Sequence, residues 1–415
     1  MVMKKRKVVS SALVGNIVEY YDFGIYAVFV PKIAALFFPA ADKSIQILLT
    51  LSVFAVGFLM RPIGGMIFGH IGDIFGRKLA LTISIVLMAV CTMAIGLLPG
   101  YETIGILAPI LLVLIRLVQG ICVGGESAGS AIFILEHLEG YKPGFVGSIV
   151  MASNMMGTLL ANFVGILIVS FFGDSDFAWR YGFLFGGLMG LTGLYMRYNV
   201  SETPVFQARK DENLTVKSPL LEAINKSWRR LLVVCFLGGV TAALAYMIRG
   251  YFNVFFETDL KYDKLMTGYF TSFALFIMIV MMPFFGILAD KVGYRKFLYI
   301  TCYVIIIGVV PIFMMITDPS HSILKVFFAI FLFAMLASAI CAPAYPYAIS
   351  AFAPELRYSG VAVSWNIGIA LFGGTTPAIS KFLVNKFGVN APALYIVVMC
   401  TCFIAISFLT RRDKH

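Results

Sequence analysis

Twelve apolar runs, near residues 9–38, 46–71, 79–98, 104–135, 145–172, 179–199, 229–256, 265–289, 296–316, 322–352, 358–386 and 391–410, fill almost the whole chain. A helix crosses the roughly 30 Å hydrocarbon core of a bilayer in about 20 residues, so each run is a candidate span. Lipid offers no hydrogen bonds to the backbone, which leaves only helices and closed barrels as spanning structures. No run alternates with the period of two that a membrane barrel requires, so the expected fold is all-α with twelve transmembrane helices. Composition agrees: 60% of the 415 residues are apolar and 13% charged, against about 45–50% and 25% in a soluble chain.

The net charge of +11 would suggest nucleic acid in a soluble protein, but here the basic residues sit in short clusters between apolar runs. The bilayer is the expected partner, and no nucleic acid is expected. With the N-terminus in the cytosol, 21 Lys and Arg fall in cytosolic segments and 7 on the opposite side, while Lys32, Arg61, Arg116 and Arg249 lie inside the runs. This excess predicts that both termini are cytosolic. Lys4 to Lys7 precede a run with no small-residue cleavage site, which reads as a retained first helix. The polar stretch from Ser201 to about residue 228 is the expected linker between an N-terminal six-helix bundle, 1–200, and a C-terminal one, 229–415. The seven cysteines all lie in apolar segments without metal-ligand spacing and read as packing residues. No phosphate-binding loop, catalytic triad or metal set occurs, so neither an ATP-driven pump nor an enzyme is expected, and no cofactor.

The two halves repeat. Gly69-x-x-x-Asp73-x-x-Gly76-Arg77-Lys78 recurs 217 residues later as Gly286-x-x-x-Asp290-Lys291-x-Gly293-Tyr294-Arg295. The repeated loop resembles the signature loop of the major facilitator superfamily. Other stretches resemble its metabolite:proton symporter branch: Gly15-Asn16 and Glu19-Tyr20-Tyr21-Asp22-Phe23, Arg61-Pro62-Ile63-Gly64-Gly65, Arg116-Leu117-Val118-Gln119-Gly120, Gly124-Gly125-Glu126, Glu202-Thr203-Pro204-Val205-Phe206, Leu356-Arg357-Tyr358-Ser359-Gly360, Asn366 and Phe372-Gly373-Gly374-Thr375. The resemblance implies two pseudo-symmetric bundles, a midplane site between the halves, and proton-coupled import of an organic acid or a zwitterion such as proline or betaine, in a bacterial inner membrane, by a protein functional as a monomer. A proton-driven exporter and a non-transporting receptor are the alternatives. The chain stops at His415, so control through a C-terminal coiled coil of the kind found in osmosensing members is not expected.

Ionisable residues deep in a span cost about 2.5–3.5 kcal/mol each on insertion scales, so they mark function or a structural pair. Along the first helix Glu19 and Asp22 lie about 14 and 18 Å from its cytosolic start, three residues apart and so on one face, and Arg116 reaches a similar depth in the fourth. Two close carboxylates oppose each other's ionisation, making Asp22 and Glu19 the candidate proton-coupling pair, with a permanent buried salt bridge to Arg116 as the structural alternative. Arg116, Arg249, Tyr26 and Asn366 are the expected substrate contacts. Arg249, about 27 Å into the seventh helix, either faces the site or snorkels outward. Arg61 divides between structural pairing and the transport path, and Lys32 snorkels. The expected gate comprises Gly69, Asp73, Gly76, Arg77, Lys78, Gly286, Asp290, Gly293 and Arg295, with Glu126 pairing to it near the cytosolic edge. Asp73 and Asp290 can accept from N–H groups at a helix N-terminus, or pair with Arg77 and with Lys291 or Arg295. Tyr294, where the signature has a basic residue, predicts a weaker second copy.

Overall fold

The computed structural model describes residues 2–39, 43–138, 140–173, 175, 177–198, 200–211, 219–320 and 322–410. Lys217, Arg411, Arg412 and Lys414, four of the 21 basic residues assigned to the cytosolic side, lie outside the described residues, as does the middle of the expected linker. Among the described residues the regular structure is helical throughout: α1 (Val2–Val28), α2 (Val30–Phe37), α3 (Lys43–Ile74), α4 (Arg77–Leu97), α5 (Tyr101–Ile104), α6 (Leu107–His137), α7 (Pro143–Phe172), α8 (Ala178–Tyr198), α9 (Pro204–Asp211), α10 (Pro219–Tyr246), α11 (Phe252–Val254), α12 (Lys264–Val292), α13 (Tyr294–Ile316), α14 (Ile323–Cys341), α15 (Ala344–Ser350), α16 (Arg357–Gly368), α17 (Thr376–Phe387) and α18 (Pro392–Leu409).

Helix occupies all twelve apolar runs, but several are broken where the sequence cannot sustain a straight ladder. Pro31 follows a 66° bend between α1 and α2, because its ring removes a donor and crowds the preceding turn. Pro343 separates α14 from α15. Three π-helical turns, Met247–Tyr251, Phe255–Asp259 and Ile369–Gly373, interrupt the seventh and eleventh runs. The expected linker is partly helical, since α9 lies in it and α10 begins in it, with a kink at Ser227. Among the described residues nine helical stretches are long and apolar enough to cross a membrane, and the bent α1–α2 pair makes ten.

The chain divides into two compact units. The first draws on residues 1–139, 156–220 and 354–363, the second on 140–155, 221–353 and 364–415. In the first, α3 and α6 pack through glycines: a Cβ added at Gly64 would overlap the carbonyl of Ile121, one at Gly120 the carbonyl of Gly57, and one at Gly124 that of Arg61. Such contact lets two backbones approach where no water-driven effect holds helices together. One end of this unit is filled by Tyr21, Tyr26, Phe29, Phe37, Trp179 and Phe183. In the second, Phe252, Phe255, Phe256, Phe313 and Phe333 form a chain of ring contacts with centroids 5.2 to 6.1 Å apart.

Candidate functional site

Within the first unit, charged and polar side chains collect in three layers along the helix axes. The deepest surrounds Asp22, which is completely buried. Thr92 Oγ1 of α4 donates to its Oδ1 at 2.8 Å, Gln119 Nε2 of α6 donates to the same oxygen at 3.0 Å, and Arg116 Nη1 donates to Oδ2 at 3.1 Å. The Arg116 guanidinium stands 3.8 Å from the centroid of the Tyr26 ring, a cation–π contact made stronger by desolvation. Tyr26 in turn donates to the carbonyl of Thr50 at 3.2 Å. Asp22 and Tyr26 are four residues apart, Arg116 and Gln119 three, so each pair occupies one helix face. Nε and Nη2 of Arg116 have no hydrogen-bond partner among the described residues. Arg61, also buried, lies over the rings of Phe58 and Phe23 at 4.5 and 4.9 Å.

Arg116 and Asp22 therefore meet as their depths imply, and Thr92 and Gln119, which are not among the expected site residues, complete the carboxylate shell. Neutral side chains carry no charge signal, although Gln119 follows Arg116 at helical spacing. Glu19 is placed differently. One turn back along α1, it lines a cavity just large enough for about one water, together with Gly15, Ser84, Cys122 and Glu126.

Glu126 belongs to a middle layer and corrects an expectation. Its carboxylate is held by Arg197 of α8 through both oxygens, one at 2.9 Å, and accepts from Ser84 Oγ at 3.2 Å. Arg197 also donates to the carbonyl of Leu81. The signature loop lies ten residues further along α6, where Glu136 meets it, so Glu126 is too deep to reach that loop and finds the α8 cation instead.

The outer layer is the first signature loop. Asp73 accepts from the backbone N–H of Ser359 at 2.8 Å, in the first turn of α16, and pairs with Arg77 at 3.2 Å. A carboxylate at a helix N-terminus meets unpaired N–H groups and the positive end of the dipole. Arg77 is buried against Glu136 at 3.4 Å and donates to the carbonyls of Gly72 and Pro354. Glu136 also pairs with Arg357 at 3.2 Å and accepts from Thr203 Oγ1 at 2.7 Å. Gly76 turns the chain at φ 120°, and the N–H of Lys78 at the start of α4 donates to Glu202 at 3.0 Å. The ammonium of Lys78 donates to the carbonyl of Tyr198.

The second copy in the second unit has the same plan with different parts. Asp290 accepts from the N–H groups of Gly144 and Phe145, at 2.7 and 2.9 Å, in the first turn of α7. Pro143 lacks an N–H, so these two are the available donors. Arg295 does not pair with Asp290. It donates to Tyr299 and to the carbonyl of Ser407, and the Tyr294 hydroxyl donates to Asp290 at 2.7 Å. Tyr294 thus occupies the role of Arg77 with a hydrogen bond in place of an ion pair. The leading glycines also correspond: a Cβ at Gly69 would lie 2.9 Å from the Ser359 Cα, and one at Gly286 would collide with the carbonyl of Gly144. Gly293 has φ 91°.

Arg249 lies in the π-helical turn Met247–Tyr251, half-buried, with its guanidinium 4.6 Å from the Tyr246 ring. Tyr251 stacks on Phe255 at 5.4 Å. Asn366 is fully buried in α16, next to Trp365, whose ring packs 4.8 Å from that of Tyr345.

The sequence profile of the Major Facilitator Superfamily matches residues 12–364. The chain belongs to this superfamily. A protein described as a putative proline/betaine transporter in Staphylococcus aureus strain COL is 35% identical over 418 residues, covering 98% of this chain and 88% of the relative. The proline/betaine transporter of Escherichia coli K12 is 34% identical over 410 residues, covering 95% and 81%. Among solved structures, the proton:xylose symporter XylE bound to 6-bromo-6-deoxy-D-glucose matches with a TM-score of 0.73 at 17% identity, over 99% of this chain and 96% of that one. The human organic anion transporter MFSD10 matches with a TM-score of 0.69 at 15% identity, over 98% and 99%. These two share its fold. The major facilitator chain is a multi-pass membrane protein and a secondary transporter of small polar solutes.

Proposed function

We propose that the protein imports a small carboxylate-bearing metabolite together with protons by alternating access. The substrate class is that of its named relatives, zwitterions such as proline and betaine, or an organic acid. The observation that carries this reading is the Asp22–Arg116 pair: one guanidinium nitrogen serves Asp22, and two others have no hydrogen-bond partner among the described residues. A substrate carboxylate can take the free edge of Arg116 in a bidentate grip. Drawing Arg116 away removes the counter-charge of the buried Asp22 carboxylate, and a proton can supply it in the cation's place. Proton and substrate then occupy the same state, as symport requires. In a low-dielectric setting each such donor costs about 1–3 kcal/mol, which a bound carboxylate would recover.

The reading includes twelve spans in two six-helix bundles, 1–200 and 229–415, joined by a cytosolic 201–228 linker, with both termini cytosolic in a bacterial inner membrane. It also makes the two signature loops gates, each aspartate gripping a helix N-terminus in one conformation and releasing it in the other. Uptake of radiolabelled L-proline, glycine betaine and succinate into proteoliposomes tests it. Accumulation of one of them should follow an inward proton gradient, and Asp22→Asn should abolish that accumulation while exchange persists. Unimpaired uphill uptake by Asp22→Asn would place coupling elsewhere. For orientation, a cysteine at Ser320 should react with an impermeant thiol reagent from outside the cell and one at Glu222 should not; the reverse pattern would invert the topology.

A further inference from the structure

Glu126 and Arg197 play no part in that coupling scheme, yet they are buried, at 3% and 4% exposure. Packing alone explains them poorly, because an apolar pair of similar volume is often as stable as a buried ion pair. Three features of their surroundings point elsewhere. Glu126 shares its water-sized cavity with a second carboxylate, Glu19, and Ser84 adds a hydroxyl to the same wall. A cavity with three polar groups can hold a water and pass a proton through it.

The spacing is the second feature. Glu126 follows Gln119 by seven residues on α6, and Ser84 precedes Thr92 by eight on α4, so the Glu126 layer lies about 10–12 Å from the Asp22 layer on both helices. Glu19 sits one turn from Asp22 on the same face of α1 and bridges that interval. The third is Tyr358, whose hydroxyl donates to the carbonyl of Gly125, next to Glu126, at 2.9 Å. Tyr358 belongs to the first turn of α16, which Asp73 grips through Ser359. The outer clasp therefore also covers the residue beside Glu126.

We propose that Glu126 is a proton-release station for the symporter, resting on the assignment of Asp22 as the coupling carboxylate. Protonated Asp22 gives its proton to the Glu19 carboxylate, Glu19 gives one to the cavity water, and that water passes one to Glu126. Neutral Glu126 loosens from Arg197 and releases its proton to the solvent when Tyr358 and α16 leave Gly125. Each carboxylate returns to its anion, so one proton enters and one leaves. The groups facing Glu126 are Glu19 from α1, Ser84 from α4, Cys122 on α6 itself, Arg197 from α8 and Tyr358 from α16.

The test uses the full chain in proteoliposomes with radiolabelled L-proline and two variants, Glu126→Gln and the apolar pair Glu126→Leu with Arg197→Met. Both should lose at least about tenfold in proton-driven accumulation, retain proline exchange, and lose the substrate-induced proton flux seen with an internal pH dye. Wild-type accumulation by the apolar pair overturns the proposal and leaves Glu126 a packing residue. Parallel loss of exchange and accumulation in both variants also overturns it, since the pair then supports the site's structure. Asp22→Asn run alongside separates the two ideas: if it is uncoupled and the Glu126 variants are not, only the relay fails. If Asp22→Asn accumulates proline normally, the coupling assignment itself fails.

Discussion

Replacing Tyr294 by Phe isolates the difference between the two signature loops. The Asp290 carboxylate accepts three hydrogen bonds, from Gly144 N–H at 2.7 Å, Phe145 N–H at 2.9 Å and the Tyr294 hydroxyl at 2.7 Å. Phenylalanine keeps the ring and deletes only the last. A hydrogen bond to a charged group contributes about 1.5–3 kcal/mol, so release of the α7 N-terminus should become about 10- to 150-fold more favourable. In the first loop, Arg77→Ala removes the ion pairs to Asp73 and Glu136 and leaves two buried carboxylates less compensated, a loss of about 3–5 kcal/mol. The first clasp should therefore be the more fragile to mutation, although the loops repeat in sequence. Amide hydrogen exchange of the purified protein reads this directly, because protection at Gly144 and Phe145 follows the opening equilibrium. Faster exchange confined to that segment is expected for Tyr294→Phe. Unchanged protection there would show that Tyr294 carries none of the clasp, and the reasoning would fail.

Other expectations follow from single contacts. Gly64→Ala should lower thermal stability by about 1–3 kcal/mol, because the new methyl meets the Ile121 backbone, which cannot give way as a side chain could; an unchanged unfolding temperature would refute the tight α3–α6 packing. Arg249→Gln should weaken the apparent affinity for a carboxylate-bearing substrate, because it removes the guanidinium held on the Tyr246 ring; unchanged affinity and rate would assign Arg249 a structural place. Asp318, in the exposed connection after α13, is pushed down to about 2 by the hydrogen bond from Lys325 and by the Ser320 N–H. A depressed acid stabilises the fold above its unfolded value and loses that contribution as pH falls towards the folded one. Lys325→Ala should therefore raise the pH at which Asp318 takes up its proton, measurable by carboxyl-selective NMR; an unshifted titration would exclude the pair.

The sequence by itself determined the class of the fold, the positions of the long apolar helices and how far along each helix the buried charges stand. Hydropathy is local and additive, and lipid leaves the backbone only helices or closed barrels, so twelve apolar runs without a period of two are enough to specify helices. Position along a helix follows from rise per residue, which is why the sequence alone matches Asp22 with Arg116. The repeated Gly-x-x-x-Asp loop also carried its own chemistry, including aspartates suited to a helix N-terminus. Only the tertiary structure decided which partners those groups find. The N–H groups of Ser359, Gly144 and Phe145 have no residue signature, since every non-proline residue offers one. Thr92, Gln119 and Ser84 are neutral and ordinary within a helix, and their roles arise because α1, α4 and α6 bring them together. Glu126 went to Arg197 rather than the loop because ten residues of helix separate it from Glu136, while α8 presents a cation at its own depth. Tyr294, rather than Lys291 or Arg295, meets Asp290 because Tyr294 and Arg295, adjacent on α13, point apart, the phenol to Asp290 and the guanidinium to Ser407.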